Sequence, residues 1–154
     1  MATDLLHLTL VFLGQTDASR VPEITSRLAQ VATRHQAFDV RTGAAGGHVD
    51  DRPGARRGGV AWLTLAGGAR ETIDLSLDID AALESRTYDA HRRPRPHLTV
   101  ARNVDQPALQ ALSELAPHLA LHWQATRIVL FRSQTGPSGS RYEELASHIL
   151  SGGG

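Results

Sequence analysis

The 154-residue chain contains no cysteine, which excludes disulfides, thiolate metal sites and a cysteine nucleophile. It contains no lysine either: all sixteen basic residues are arginine, so Schiff-base chemistry and a lysine-bearing phosphate loop are ruled out. Net charge is also lacking, because sixteen acidic residues balance the arginines to a formal charge of zero. That balance argues against a protein that grips long nucleic acid through many phosphates, which needs a basic surface and counterion release. A local anion site stays open. Arg52, Arg56 and Arg57 share one Gly-rich stretch, and Arg86, Arg92, Arg93, Arg95 and Arg102 crowd the segment around His97; solvated loops account for such clusters equally well. The apolar run Leu5 to Leu13 is too short to span a bilayer, is broken by His7 and Thr9 and has no basic region before it, so it reads neither as a signal peptide nor as a membrane helix. The expectation is a cytoplasmic protein without membrane contact.

What the chain does have is one tetrad used twice, His7-Leu8-Thr9-Leu10 and His97-Leu98-Thr99-Val100. Apolar and polar residues alternate in each, the period of a half-buried strand, so His and Thr share one face while their neighbours anchor the core. A single copy would read as a strand with a solvated polar face. Two copies point to a matched pair of imidazoles and hydroxyls.

The length suits one domain that buries its own core without staples. Along it, Leu5 to Leu13 reads as a strand ended by Gly14, and Ser19 as the cap of a helix to about His35 with Ile24, Leu28 and Val31 on one face. Phe38 to Thr42 reads as a return strand, and the Gly- and Arg-rich stretch Gly43 to Gly59, which contains Pro53, as a mobile loop. A strand over Val60 to Leu65 and a helix with Ile73 and Leu77, stopping before Thr87, come next. Tyr88 to Pro96 is an extended loop leading into the second tetrad. Pro107 starts a helix that Pro117 closes. Leu119 to Trp123 and Arg127 to Arg132 are strands, and Gly136-Pro137-Ser138-Gly139 turns the chain into a hairpin ending near Ile149. The order falls into two similar halves, each opening with a tetrad, and an α+β fold of hairpin-linked strands follows. Residues 1–150 form the expected domain and 151–154 a disordered Gly-rich tail.

Imidazole titrates near pH 6.5, so one of a facing pair can be neutral while the other is protonated. That is a general base opposite a general acid, which is what splitting a phosphodiester requires: one group deprotonates the attacking oxygen and another protonates the leaving one. Threonine hydroxyls can hold the non-bridging oxygens. Neither metal nor cofactor is needed.

The paired tetrads resemble those of the two-histidine (2H) phosphoesterase superfamily. Leu6-His7-Leu8-Thr9-Leu10-Val11-Phe12-Leu13-Gly14 is similar to the first motif of its RNA 2′,3′-cyclic phosphodiesterases, also called 2′-5′ RNA ligases. Arg95-Pro96-His97-Leu98-Thr99-Val100-Ala101-Arg102 is similar to the second, and Leu130-Phe131-Arg132-Ser133 with the Gly-Pro turn and Tyr142 to the closing hairpin. The resemblance implies a two-lobed, pseudo-twofold fold, antiparallel sheets lining a central cleft with helices outside, lacking the strand and helix that usually precede the first motif. It implies a metal-independent hydrolase that opens an RNA 3′ end bearing a 2′,3′-cyclic phosphate to a 2′-phosphomonoester, with 2′-5′ ligation as a side reaction, acting as a monomer in RNA processing. His7 and His97 would be acid and base, Thr9, Thr99 and Arg102 phosphate contacts, and Phe12 and Tyr142 nucleotide contacts, with core packing the alternative for the two aromatics. Arg102 presents a parity problem: five positions from His97 is an odd step, so an ideal strand would turn it to the opposite face unless a bulge re-aims it. Rival readings are a non-catalytic module for RNA ends or nucleotides, a 2H enzyme for a small cyclic nucleotide, and a metal site at His118 and His122, against which Pro117 argues by breaking the helix that their spacing requires.

Overall fold

The computed structural model describes residues 6–50, 52 and 58–151. The chain condenses into two compact units that do not follow the sequence halves. One takes the segment through Thr9, Asp39–Ile73 and Arg95–Trp123; the other takes Leu10–Phe38, Asp74–Pro94 and the chain from Gln124 onward. Antiparallel sheets and segregated helices make the fold α+β.

The first unit is built on a four-stranded sheet of order β3-β2-β1-β4, with β1 at Phe38–His48, β2 at Gly59–Gly67, β3 at His97–Val104 and β4 at His122–Ala125. Its core is Leu63, Leu98 and Ala116, with Leu6, Leu8, Ala45, Val100, Leu112, Leu119 and Trp123 packed against them. The inward set comes from simple alternation: Ala61 and Leu63 are buried, while Val60, Trp62 and Thr64 on the other face are half-exposed. A helix at Gln106–Leu115 starts where Asp105 accepts the Ala108 N–H at 2.9 Å and Pro107 occupies the first turn, as the sequence suggests. Pro117 then lies in a short 3-10 turn, Ala116–His118. The strand expected at Leu119 to Trp123 forms later, from His122.

Two expectations change here. Leu5 to Leu13 does not make a full strand: among its described residues only Leu8 forms a bridge, to Leu98. The stretch from Gly43 is not a loop but the second half of β1 as far as His48. Its glycines are explained by what lies across from them. A Cβ on Gly46 would sit 2.5 Å from the Trp62 indole nitrogen, and one on Gly47 would sit 2.5 Å from the Val60 carbonyl oxygen. Strand pairing therefore overrides low strand propensity, because only bare backbone fits under the Trp62 ring at Gly46 and against the Val60 carbonyl at Gly47. Pro53, Arg56 and Arg57 lie outside the described residues, as do residues 152–154 of the expected tail; Ser151 donates its N–H to the Ala32 carbonyl at 3.0 Å.

The second unit packs α1 (Val21–Ala32) and the later turns of α2 (Ala69–Leu83) against a hairpin of β5 (Arg127–Gly136) and β6 (Gly139–Ile149). Ile24, Leu28 and Val31 line the buried stripe of α1 and meet Leu75, Ile79, Leu83, Ile128 and Leu150. Each such fully buried aliphatic side chain contributes about 1.5 to 3 kcal/mol. Asp17 rather than Ser19 provides the cap, accepting the Ser19 N–H at 2.8 Å at the head of a 3-10 turn that leads into α1. Gly139, at φ 110°, closes the hairpin.

Two carboxylates of α2 organise this unit. Asp78 is held below the usual carboxylate range by the Arg34 guanidinium, which donates to it at 2.8 and 3.2 Å, and by His35 at 2.8 Å. Burial alone would raise Asp80. The Ser85 hydroxyl and the N–H groups of Thr87 (2.8 Å) and Tyr88 (3.3 Å) outweigh it and bring this carboxyl, too, below its ordinary value. Asp80 thereby clasps the loop in which Glu84 and Arg86 adopt positive φ, and Tyr88 passes the restraint on by donating its hydroxyl to the Leu10 carbonyl at 2.6 Å. A carboxyl whose pKa is depressed on folding stabilises above its unfolded value, about 4, and loses that contribution as pH falls through the folded value. Asp80→Asn is therefore expected to lower the urea midpoint more at pH 7 than at pH 3. Equal lowering at both would show that the ionised carboxylate does not carry the clasp.

Candidate active site

Leu8 and Leu98 are both apolar, both belong to the core of the first unit, and face each other in an antiparallel bridge. That pairing adds residues around Leu8 to the free side of β3 and sets the register of the two tetrads. His7 comes opposite Thr99 and Thr9 opposite His97. Because the two leucines point into the core, all four polar side chains take the other face. Diagonal neighbours across such a pair are about 7–8 Å apart, which is the relation between His7 and His97. His7 is half-buried; His97 and Thr9 are exposed.

The parity problem at Arg102 has a structural answer. Along β2 and β3, Thr64 pairs with His97, Trp62 with Thr99, Ala61 with Ala101 and Val60 with Arg102. The register shifts between Thr99 and Ala101, so Val100 is an extra residue on β3, a bulge whose side chain packs on the core. The shift returns Arg102 to the face of Val60, Trp62 and Thr64, the same face as His97 and Thr99. A second shift follows at Asn103, which takes φ 58°.

His97 is fixed in orientation and tautomer. Its Nδ1 lies 2.7 Å from the Arg95 carbonyl oxygen; a carbonyl only accepts, so Nδ1 carries the hydrogen and the neutral ring keeps its lone pair on Nε2. Trp62 packs against the same ring, with centroids 5.6 Å apart and planes at 54°. On its other side Trp62 meets His48, at 6.3 Å and 55°. Three rings thus run diagonally across β3, β2 and β1. Thr64 donates its hydroxyl to the Ala44 carbonyl at 2.8 Å. Trp62 and His48 are missing from the sequence-based candidates: Trp62 was legible as the polar-face partner of Leu63 in an alternating strand, whereas His48 was hidden in a stretch that reads as loop. The neighbouring Asp50 is held below the usual carboxylate range, chiefly by Arg52, which donates to it at 2.8 Å through both Nε and a terminal nitrogen, with His48 adding a smaller effect.

The remaining candidates are Phe12, Tyr142, His118 and His122. Phe12 and Tyr142 belong to the second unit. Phe12 is 74% exposed, so core packing does not account for it. Tyr142 is half-buried and meets Phe131 edge-on at 5.9 Å. His118 ends the 3-10 turn and His122 opens β4, 3.8 Å from the Asp39 carboxylate. Among the described residues no group of three or more His, Asp and Glu side chains is arranged to hold a metal ion, and no helix is long and apolar enough to cross a membrane.

Comparison with known proteins adds ancestry to this geometry. The sequence model of the 2′-5′ RNA ligase superfamily matches residues 3–137. An RNA 2′,3′-cyclic phosphodiesterase of Escherichia coli K12 is 26% identical over 151 residues, 97% of this chain and 78% of that protein. A protein of the same name from Aeropyrum pernix is 30% identical over 110 residues, 71% of this chain and 59% of its own length. Among solved structures, E. coli LigT complexed with 3′-AMP superimposes with a TM-score of 0.69 at 27% identity, covering 97% of this chain and 79% of that one. The Thermus thermophilus protein TT0787 gives 0.66 at 24% identity, covering 96% and 79%, a likeness of fold. In nitrogen-detected NMR of the neutral protein, His97 is expected to show its proton on Nδ1. A signal from the Nε2-protonated tautomer would contradict the orientation described.

Proposed function

The chain belongs to the 2′-5′ RNA ligase superfamily, and we propose that it is an RNA 2′,3′-cyclic phosphodiesterase whose acid and base are the two tetrad histidines. The observation that carries this reading is the Leu8–Leu98 bridge, because it leaves two imidazoles, two hydroxyls and, through the Val100 bulge, one guanidinium on a single sheet face. The relatives, an RNA 2′,3′-cyclic phosphodiesterase and E. coli LigT in complex with 3′-AMP, fit a substrate of that class.

In the proposed reaction, neutral His97 takes a proton from water through Nε2, and the water oxygen attacks phosphorus. The bond from phosphorus to the 3′ oxygen breaks as protonated His7 gives its proton to that oxygen. One proton is taken and one delivered, and the product is a 2′-phosphomonoester. The Arg95 carbonyl supports the base role, since it holds Nδ1–H and stabilises the imidazolium that forms. Thr9, Thr99 and Arg102 hold the non-bridging oxygens, where a charge-assisted contact is worth about 1.5–3 kcal/mol. With a 5′ hydroxyl in place of water as the attacking group, the same forward transfer would ligate: His97 takes the hydroxyl proton, the new bond to phosphorus forms, the bond to the 3′ oxygen breaks with the proton from His7, and a 2′-5′ linkage results.

The test is RNA ending in a 2′,3′-cyclic phosphate, incubated in chelator with the wild type and with His7→Ala and His97→Ala. Hydrolysis is expected to persist in chelator and to fall about a hundredfold or more in each variant. Full activity in either variant, or loss in chelator, would overturn the mechanism.

A further inference from the structure

We infer that His48, beside Trp62, forms a second anion subsite that takes the phosphodiester on the 5′ side of the terminal nucleotide, with the several N–H donors of Arg102 shared between that phosphate and the reacting one. The inference rests on the proposed function. His48 pairs with Val60 on β1 and β2, and Val60 pairs with Arg102 on β2 and β3. The three residues therefore form one row across the sheet. Two donor side chains flank a short apolar one, with their Cα atoms two strand spacings, roughly 10 Å, apart. An oxyanion over Val60 is within reach of both.

The next row along the strands contains Thr99 and Trp62, one two-residue step or about 7 Å away. His97 lies one step further. The Trp62 ring touches His97 on one side and His48 on the other, and it is seated there because Gly46 has no side chain to push it away. Adjacent phosphates on an RNA strand are separated by one nucleoside, and Trp62 is the surface between the two anion positions on this face. Asp50, two residues beyond His48, is spanned by Arg52, so the charge of this carboxylate is compensated. His48 itself is exposed and makes none of the contacts assigned to the reacting phosphate.

The subsite predicts discrimination by phosphate count. Adenosine 2′,3′-cyclic phosphate offers one phosphate, whereas a diadenosine dinucleotide ending in a 2′,3′-cyclic phosphate offers two. Wild-type protein is expected to prefer the dinucleotide. His48→Ala should lower kcat/KM for the dinucleotide about tenfold or more, chiefly through KM, and leave the mononucleotide unchanged. His48→Arg should restore the preference. An equal fall on both substrates, or none on the dinucleotide, would overturn the subsite while leaving the parent reaction standing. Wild-type protein that turns over neither substrate would overturn the parent reading and the subsite with it.

Discussion

Everything proposed for the site depends on one hydrophobic pairing, Leu8 against Leu98. Two leucines separated by ninety positions come together because both fill the core of the same unit, where Leu98 is 3% exposed beside Leu63. The chemistry is a by-product of that burial. Once the leucines point inward, strand geometry requires the residues on either side to point outward, and those residues are His7, Thr9, His97 and Thr99. A slip of one residue on either segment would bury the imidazoles and expose the leucines, so the hydrophobic effect guards the register of the polar groups.

Positioning then relies on backbone groups more than on side-chain partners. The Arg95 carbonyl selects the tautomer of His97. The Val100 bulge turns Arg102 to the histidine face without removing Val100 from the core. The clasp around Asp80 and the Tyr88 hydroxyl tie down Leu10, the residue that closes the first tetrad. Each device costs little, because it uses a carbonyl, an inserted residue or a loop carboxylate already in contact with protein. None needs a large cavity.

The sequence made the tetrads legible because alternation and chemistry agree there: hydrophobic neighbours on one parity, His and Thr on the other. Helix positions were legible for the same reason, as with Ile24, Leu28 and Val31. The bulge was anticipated only as a necessity, since nothing local marks Val100 as the extra residue; its location is set by pairing with β2. Gly46 and Gly47 misled because low strand propensity is a local property, whereas the Trp62 ring over Gly46 and the Val60 carbonyl and Leu109 side chain beside Gly47 are not. That error concealed His48. Phe12 misled in the opposite sense, an aromatic in an apolar run that the fold leaves open to solvent.

The central claim is that His7 and His97 serve a single phosphate. Titrating the protein with inorganic phosphate while following the imidazole resonances of both residues tests it directly. The account predicts that both move and saturate with one dissociation constant. Movement of only one ring, or of both with unrelated saturation, would contradict it.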